Sequence, residues 1–217
     1  MNTRVSTVAA KLAFLAAMSS VPALPGTVFT DDFESGSLSA AKWLLPGSGT
    51  VVNDPLNANN KVLAFRQLGA GGDAFTVPLD LTGPTVRISF DYLGFAAGPN
   101  VGTDTGGFLI VDLPNSFLGY VLAGTSNAGG PYLKNMLNLA VGQWHHIELT
   151  YTASVLQSGN GSKVTFEQWS GSPNAAGNAF FDNIEISTTP EPGSMMLAGV
   201  GMLLVAASRM RGSFMGH

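Results

Sequence analysis

The chain has no cysteine among its 217 residues, so no disulfide staples it and its stability must come from core burial or a bound metal. Charge is scarce as well, at 11% of residues against roughly 25% in ordinary soluble domains. Basic residues are scarcest of all. Between Thr27 and Ser187 there are six (Lys42, Lys61, Arg66, Arg87, Lys134 and Lys163) against thirteen acids, a net charge of −7. Phosphate affinity rests on clustered Lys and Arg, so no nucleic acid is expected as a partner. Long helical periodicity is absent before Met195. Catalytic signatures are missing too: no G-x-S-x-G, no Gly-rich loop ending in Lys-Ser/Thr, and no two glutamates about four apart with an aspartate between them. Glu148, Glu167 and Glu185 stand singly, each on an outer strand row. His145 and His146 are adjacent in one strand and face opposite ways, so they do not hold a metal together. These absences argue against an enzyme.

What is present is a succession of short alternating runs. Val86, Ile88, Phe90 and Tyr92 alternate against Arg87, Ser89 and Asp91. Ile147, Leu149 and Tyr151 do so against Glu148, Thr150 and Thr152, and Val164 and Phe166 against Lys163, Thr165 and Glu167. In the last run, Phe180, Asp182, Ile184 and Ile186 read as the inner row, opposite Phe181, Asn183 and Glu185. Further strands are expected over 28–33, 61–66, 73–77, 107–111 and 117–122, with 51–60 and 93–105 as long irregular loops. Gly-rich turn clusters divide them. The fold class is therefore all-β, an antiparallel two-sheet sandwich over residues 27–187.

Both ends read as addresses. Arg4 and Lys11 precede an apolar stretch, and Val21-Pro22-Ala23 fits a small-residue cleavage site, so residues 1–23 read as a signal peptide cut after Ala23. At the other end, Pro190-Glu191-Pro192 is held extended by its prolines. An uncharged run from Met195 to Ala207 follows, then Arg209 and Arg211. The run can form a transmembrane helix, but it is shorter than the roughly 20 residues of a full span. That length suits transient inner-membrane association and removal better than permanent anchoring. The ordered elements of residues 188–217 resemble the PEP-CTERM sorting tail. The resemblance implies cleavage near the Pro-Glu-Pro motif by an exosortase-type transpeptidase. It also implies export across the inner membrane of a Gram-negative bacterium to the envelope, outer surface or extracellular matrix. Proteins of many kinds carry such tails, ice-binding and matrix proteins among them.

The middle carries a second resemblance. Asp31-Asp32-Phe33-Glu34-Ser35-Gly36 with Trp43 downstream, Gly142-Gln143-Trp144 before Ile147, and Phe181-Asp182-Asn183-Ile184-Glu185-Ile186 resemble segments of concanavalin-like, laminin-G-like and carbohydrate-binding-module jelly rolls. This implies a jelly roll with its first and last strands adjacent. It also implies a structural calcium ion on Asp31, Asp32, Glu34 and Asp182, since Ca²⁺ collects carboxylate and carbonyl oxygens. Sugar rings dock on aromatic faces with amide and carboxylate partners. Trp169, Tyr132, Tyr120 and Asn174 are the candidate ligand contacts, whereas Trp144 and Tyr151 read as core and Trp43 as cover for one sheet end. The resulting expectation is an exported, non-catalytic module that binds exopolysaccharide. The alternatives are a glycan-active enzyme on a concanavalin-like fold and a purely structural or ice-binding surface protein.

Overall fold

The computed structural model describes residues 26–44, 48–65, 72–95, 106–125, 134–137, 139–168 and 178–189. Its strands are β1 (Gly26–Asp31), β2 (Trp43–Leu44), β3 (Thr50–Asn53), β4 (Lys61–Phe65), β5 (Gly72–Thr76), β6 (Leu79–Asp80) and β7 (Val86–Phe95). They continue as β8 (Gly107–Asp112), β9 (Gly119–Gly124), β10 (Lys134–Asn135), β11 (Trp144–Tyr151), β12 (Asn160–Ser162), β13 (Val164–Gln168) and β14 (Asn178–Thr188). A single turn of helix, α1 (Ala153–Leu156), follows β11.

Two six-stranded sheets form the sandwich. The first runs β11-β7-β14-β4-β3, with β1 also on β14; the second runs β10-β9-β8-β13-β5-β2. A small β12-β6 ladder closes one side. All pairs are antiparallel except β10 on β9. The expected all-β jelly-roll sandwich is therefore the observed fold, and its first and last strands are adjacent, Phe29 opposite Ile186.

The period-2 rows explain the core. Val86, Ile88, Phe90 and Tyr92 of β7, Ile147, Leu149 and Tyr151 of β11, and Val164 and Phe166 of β13 all point inward and are buried. Aromatic rings tie the two sheets together. Phe166 of the second sheet lies 5.1 Å from Phe181 and 5.5 Å from Phe90 of the first, both edge-to-face. Such pairs contribute about 0.5–1.5 kcal/mol beyond their burial. Gly107 belongs to the same packing, because a Cβ there would sit 2.3 Å from the Tyr92 ring.

Four expectations change. The inner row of β14 is Phe181, Ile184 and Ile186, because a bulge between Asp182 and Glu185 shifts the register. Asn183 takes a left-handed φ of 49° in that bulge. Phe180 and Asp182 consequently lie on the outer face of the first sheet. There Phe180 joins Val62, Ala64 and Leu93 in a second small cluster. Trp144, expected in the core, is half-buried against this outer cluster. Trp43, expected over a sheet end, is 1% exposed and central, within 5.4 Å of Phe29 and 6.2 Å of Phe166. The stretch 51–53, expected as loop, belongs to the edge strand β3.

Candidate functional site

The four carboxylates expected to share calcium divide into separate roles. Asp31 is buried and committed to the fold: Trp43 Nε1 donates to its Oδ2 at 2.7 Å and the Phe33 N–H to its Oδ1 at 3.1 Å. The Lys42 ammonium lies 3.6 Å away. Phe33 has a φ of 56°, a costly value for an aromatic residue, and the Asp31 bond holds it there. Asp32 is exposed and caps its own turn, accepting from the Glu34 N–H at 3.3 Å.

Asp182 and Glu34 do come near one another. Burial raises the Asp182 pKa. The Asn60 amide at 2.9 Å and the Asn183 N–H at 2.7 Å pull it back, and the charges of Asp91 and Glu34 push it up further. Glu34 accepts from the Lys61 N–H at 3.0 Å. Among the described residues no three His, Asp or Glu side chains gather closely enough to hold a metal by themselves.

Of the expected ligand contacts, Tyr120 is exposed on β9, while Trp169, Tyr132 and Asn174 lie outside the described residues. So do the processing residues Ala23, Pro190, Glu191, Pro192, Arg209 and Arg211, and the apolar run they frame. Among the described residues no helix is long and apolar enough to cross a membrane.

The outer face of the second sheet brings together residues that the sequence left apart. Phe166 points into the core, so its neighbours Thr165 and Glu167 point out. Cross-strand partners share a side, and register therefore places Phe75 and Ile110 beside Thr165, and Asp73 and Phe108 beside Glu167. Asp112 lies one row further along, accepting from the Thr165 hydroxyl at 2.7 Å. Gly119 is opposite Asp112 and has no room for a side chain, since a Cβ would be 2.4 Å from the Val111 carbonyl.

Above this face stands Phe117, 69% exposed, its ring edge-to-face with Phe75 at 5.3 Å. Lys163 lies against the Phe117 ring, 4.2 Å from its centroid, and donates to the Ser116 carbonyl. The face thus grades from a cation and an aromatic pair at one end to two carboxylates at the other.

Burial and neighbouring charges perturb all three carboxylates. Burial, then the charges of Asp73 and Asp112, pushes Glu167 up to about 7. Burial and Asp112 raise Asp73. Asp112 is raised by burial and partly restored by Thr165 and Lys163. Glu167, single in the sequence, is one of three acids in space. Phe75 and Asp73 were missed because only register puts them beside β13, and Phe117 because it reaches this face from the β8–β9 connection through its contacts with Phe75 and Lys163. The described part of this face carries Thr165 among apolar and acidic residues, and no regular array of Thr or Asn.

The first sheet offers a depression of about 770 Å³ over Val52, Lys61 and Phe180. It has no exposed ring among its lining residues. At the opposite edge of the first sheet, His146 pairs with Asp91 at 2.8 Å, and His145 Nε2 lies 2.9 Å from the Ala140 carbonyl, so the two imidazoles do separate things.

Comparison with solved structures finds partial likenesses. The tandem CBM22-1–CBM22-2 domain of Xyn10C from Paenibacillus barcinonensis is 18% identical with a TM-score of 0.49, over 77% of this chain and 51% of that one. This chain thus spans about half of that tandem. The CBM22-2 xylan-binding domain alone is 16% identical with a TM-score of 0.46, over 74% of this chain and 99% of that one. The K3 cleaved adhesin domain of Lys-gingipain from Porphyromonas gingivalis is 13% identical with a TM-score of 0.42, over 75% of this chain and 100% of that one. Comparison with curated protein sequences finds no match. Residues 188–211 match the PEP-CTERM protein-sorting motif, a mark of secretion to the bacterial cell surface or beyond.

Proposed function

We propose that the chain is an exosortase-processed protein of a Gram-negative envelope or matrix, and that its sandwich binds exopolysaccharide without cleaving it. The observation that carries the binding reading is the outer face of the second sheet. An exposed ring, Phe117, leans on Phe75 there, with carboxylates on the same side of the neighbouring strands. Ring faces stack on sugars and carboxylates accept from hydroxyls. The tail motif supports delivery to a compartment where such polymers lie. Retention of the full-length chain on immobilised polysaccharides tests this; no retention on any of them would remove the binding reading.

One observation favours catalysis as a second reading. Glu167 stands opposite Asp73, and burial with the neighbouring charges pushes its pKa up to about 7, the range in which a general acid works. Retaining glycosidases need two carboxyls roughly 5–5.5 Å apart. Release of reducing sugar ends, lost in both Glu167→Gln and Asp73→Asn, would establish an enzyme.

Calcium is proposed on a narrower footing than the four-carboxylate set. Asp182 and Glu34 are the fitting pair, with carbonyl oxygens completing the shell, since Asp31 is committed to Trp43 and Phe33. A cation there would offset the mutual repulsion of the two acids.

A further inference from the structure

We propose that the outer face of the second sheet selects sugar chains that carry free amino groups, their ammonium groups seated between Asp73 and Glu167 and their rings against Phe117 and Phe75. The proposal rests on the polysaccharide-binding reading and specifies the class of polymer.

Charge complementarity is the first argument. Three acids project from three neighbouring strands on one face: Asp73 from β5, Glu167 from β13 and Asp112 from β8. Among the described residues the cation on this face is Lys163, and it is already engaged by the Ser116 carbonyl and the Phe117 ring. Its charge acts on Asp112. Glu167 lies four residues further along β13, roughly 13 Å in extended chain. The Asp73–Glu167 end is therefore short of positive charge. An ammonium group supplies it, a neutral hydroxyl does not, and a uronate or sulfate adds repulsion.

The second argument is the aromatic pair. A ring face attracts cations as well as sugar C–H groups. Phe75 and Asp73 are two residues apart on the same side of β5, roughly 7 Å. A sugar resting on the rings thus has its substituents within reach of the carboxylates.

Proton linkage follows from the same arrangement. Glu167 binds a proton where the ammonium would sit, and the proton must leave when the cation arrives.

Calorimetry with the full-length chain between pH 6 and 7 tests the proposal, using a glucosamine hexamer, its N-acetylated counterpart and an oligouronate of equal length. The glucosamine hexamer is expected to bind roughly tenfold more tightly than the N-acetylated one. The oligouronate should not bind. Glu167→Gln and Asp73→Asn, which are close in shape, should each erase the preference. Glu148→Gln, on the other sheet, should keep it. Equal affinity for the two hexamers overturns the selection for amines and leaves polysaccharide binding standing. So does a preference that survives both variants. Displacement by millimolar Ca²⁺, but not by sodium chloride of equal ionic strength, would assign the face to a metal ion and overturn it too. Failure of all three sugars to bind overturns the selection for amines, and removes the underlying reading as well only if the chain is also retained on no immobilised polysaccharide.

Discussion

Glu167 on β13 and Asp73 on β5 occupy directly opposed positions on the outer face of the second sheet. Both are half-buried, and after burial it is the charge of Asp73, then that of Asp112, that makes Glu167 costly to ionise. For Glu167 the folded-state value is about 7 against an ordinary 4.5. The raised value means that the fold favours the protonated acid. The associated stability is complete below pH 4.5 and is lost as pH rises to about 7, then stays level. Discounted for solvent screening, the loss is about 1–2 kcal/mol. Glu167→Gln cannot ionise, so it should match the parent in melting temperature at pH 4.5. At pH 8 it should exceed the parent by roughly 3–6 °C. Equal pH dependence of the two chains would show that Glu167 is not the group responsible.

Asp31 makes an opposite kind of prediction. It is a buried acid whose partners are the Trp43 indole and the Phe33 N–H, and it fixes the left-handed turn at Phe33. Asp31→Ala leaves two buried donors without an acceptor and releases that turn. The expected loss is about 3 kcal/mol, a fall in melting temperature of roughly 6–12 °C. The response to calcium should survive. If the variant instead keeps its melting temperature and loses a calcium response, Asp31 is a ligand and its hydrogen bonds are incidental.

Much of this fold is legible in the sequence because β7, β11 and β13 obey strict alternation, and a buried face forces that pattern. The same rule, followed to the first residue of β11, places Trp144 outside. It shares parity with His146 and Glu148, not with Ile147, yet its size suggested a core residue. The last strand defeats alternation for a physical reason: the Asp182–Glu185 bulge spends an extra residue, and both Phe181 and Ile184 turn inward. Asn183, tolerant of a left-handed φ and bonded to Asp91 at 2.8 Å, was a readable sign of it. The candidate site was less legible. Asp73, Asp112 and Glu167 come from three strands far apart in the chain, and strand order is not contained in any local pattern.

The Asp182–Glu34 pair predicts a calcium response. Ligand binding to the folded state alone adds about 2.7 kcal/mol at a concentration one hundred times the dissociation constant. Saturating Ca²⁺ should therefore raise the melting temperature by roughly 5–10 °C over the chelated protein. Asp182→Asn should abolish the shift. It should also raise stability without calcium, because burial makes the Asp182 charge costly. A shift that persists in Asp182→Asn would locate the ion elsewhere.

Phe117 separates binding from folding most cleanly. Its ring is 69% exposed and touches the sandwich through Phe75 and the Lys163 ammonium. Removing it exposes little of the core, so Phe117→Ala should move the melting temperature by less than about 2 °C. A ring that stacks on sugar contributes far more to the complex than to the fold. Contacts of this kind cost more than about 1 kcal/mol when truncated. Affinity for polysaccharide should fall roughly tenfold, with recovery in Phe117→Trp, which restores a stacking face. Phe117→Leu keeps apolar bulk without a ring and should not recover it. Equal binding by the Ala, Leu and Trp variants would show that the ring is surface cover, and that sugars meet this chain somewhere other than the Phe75–Phe117 pair.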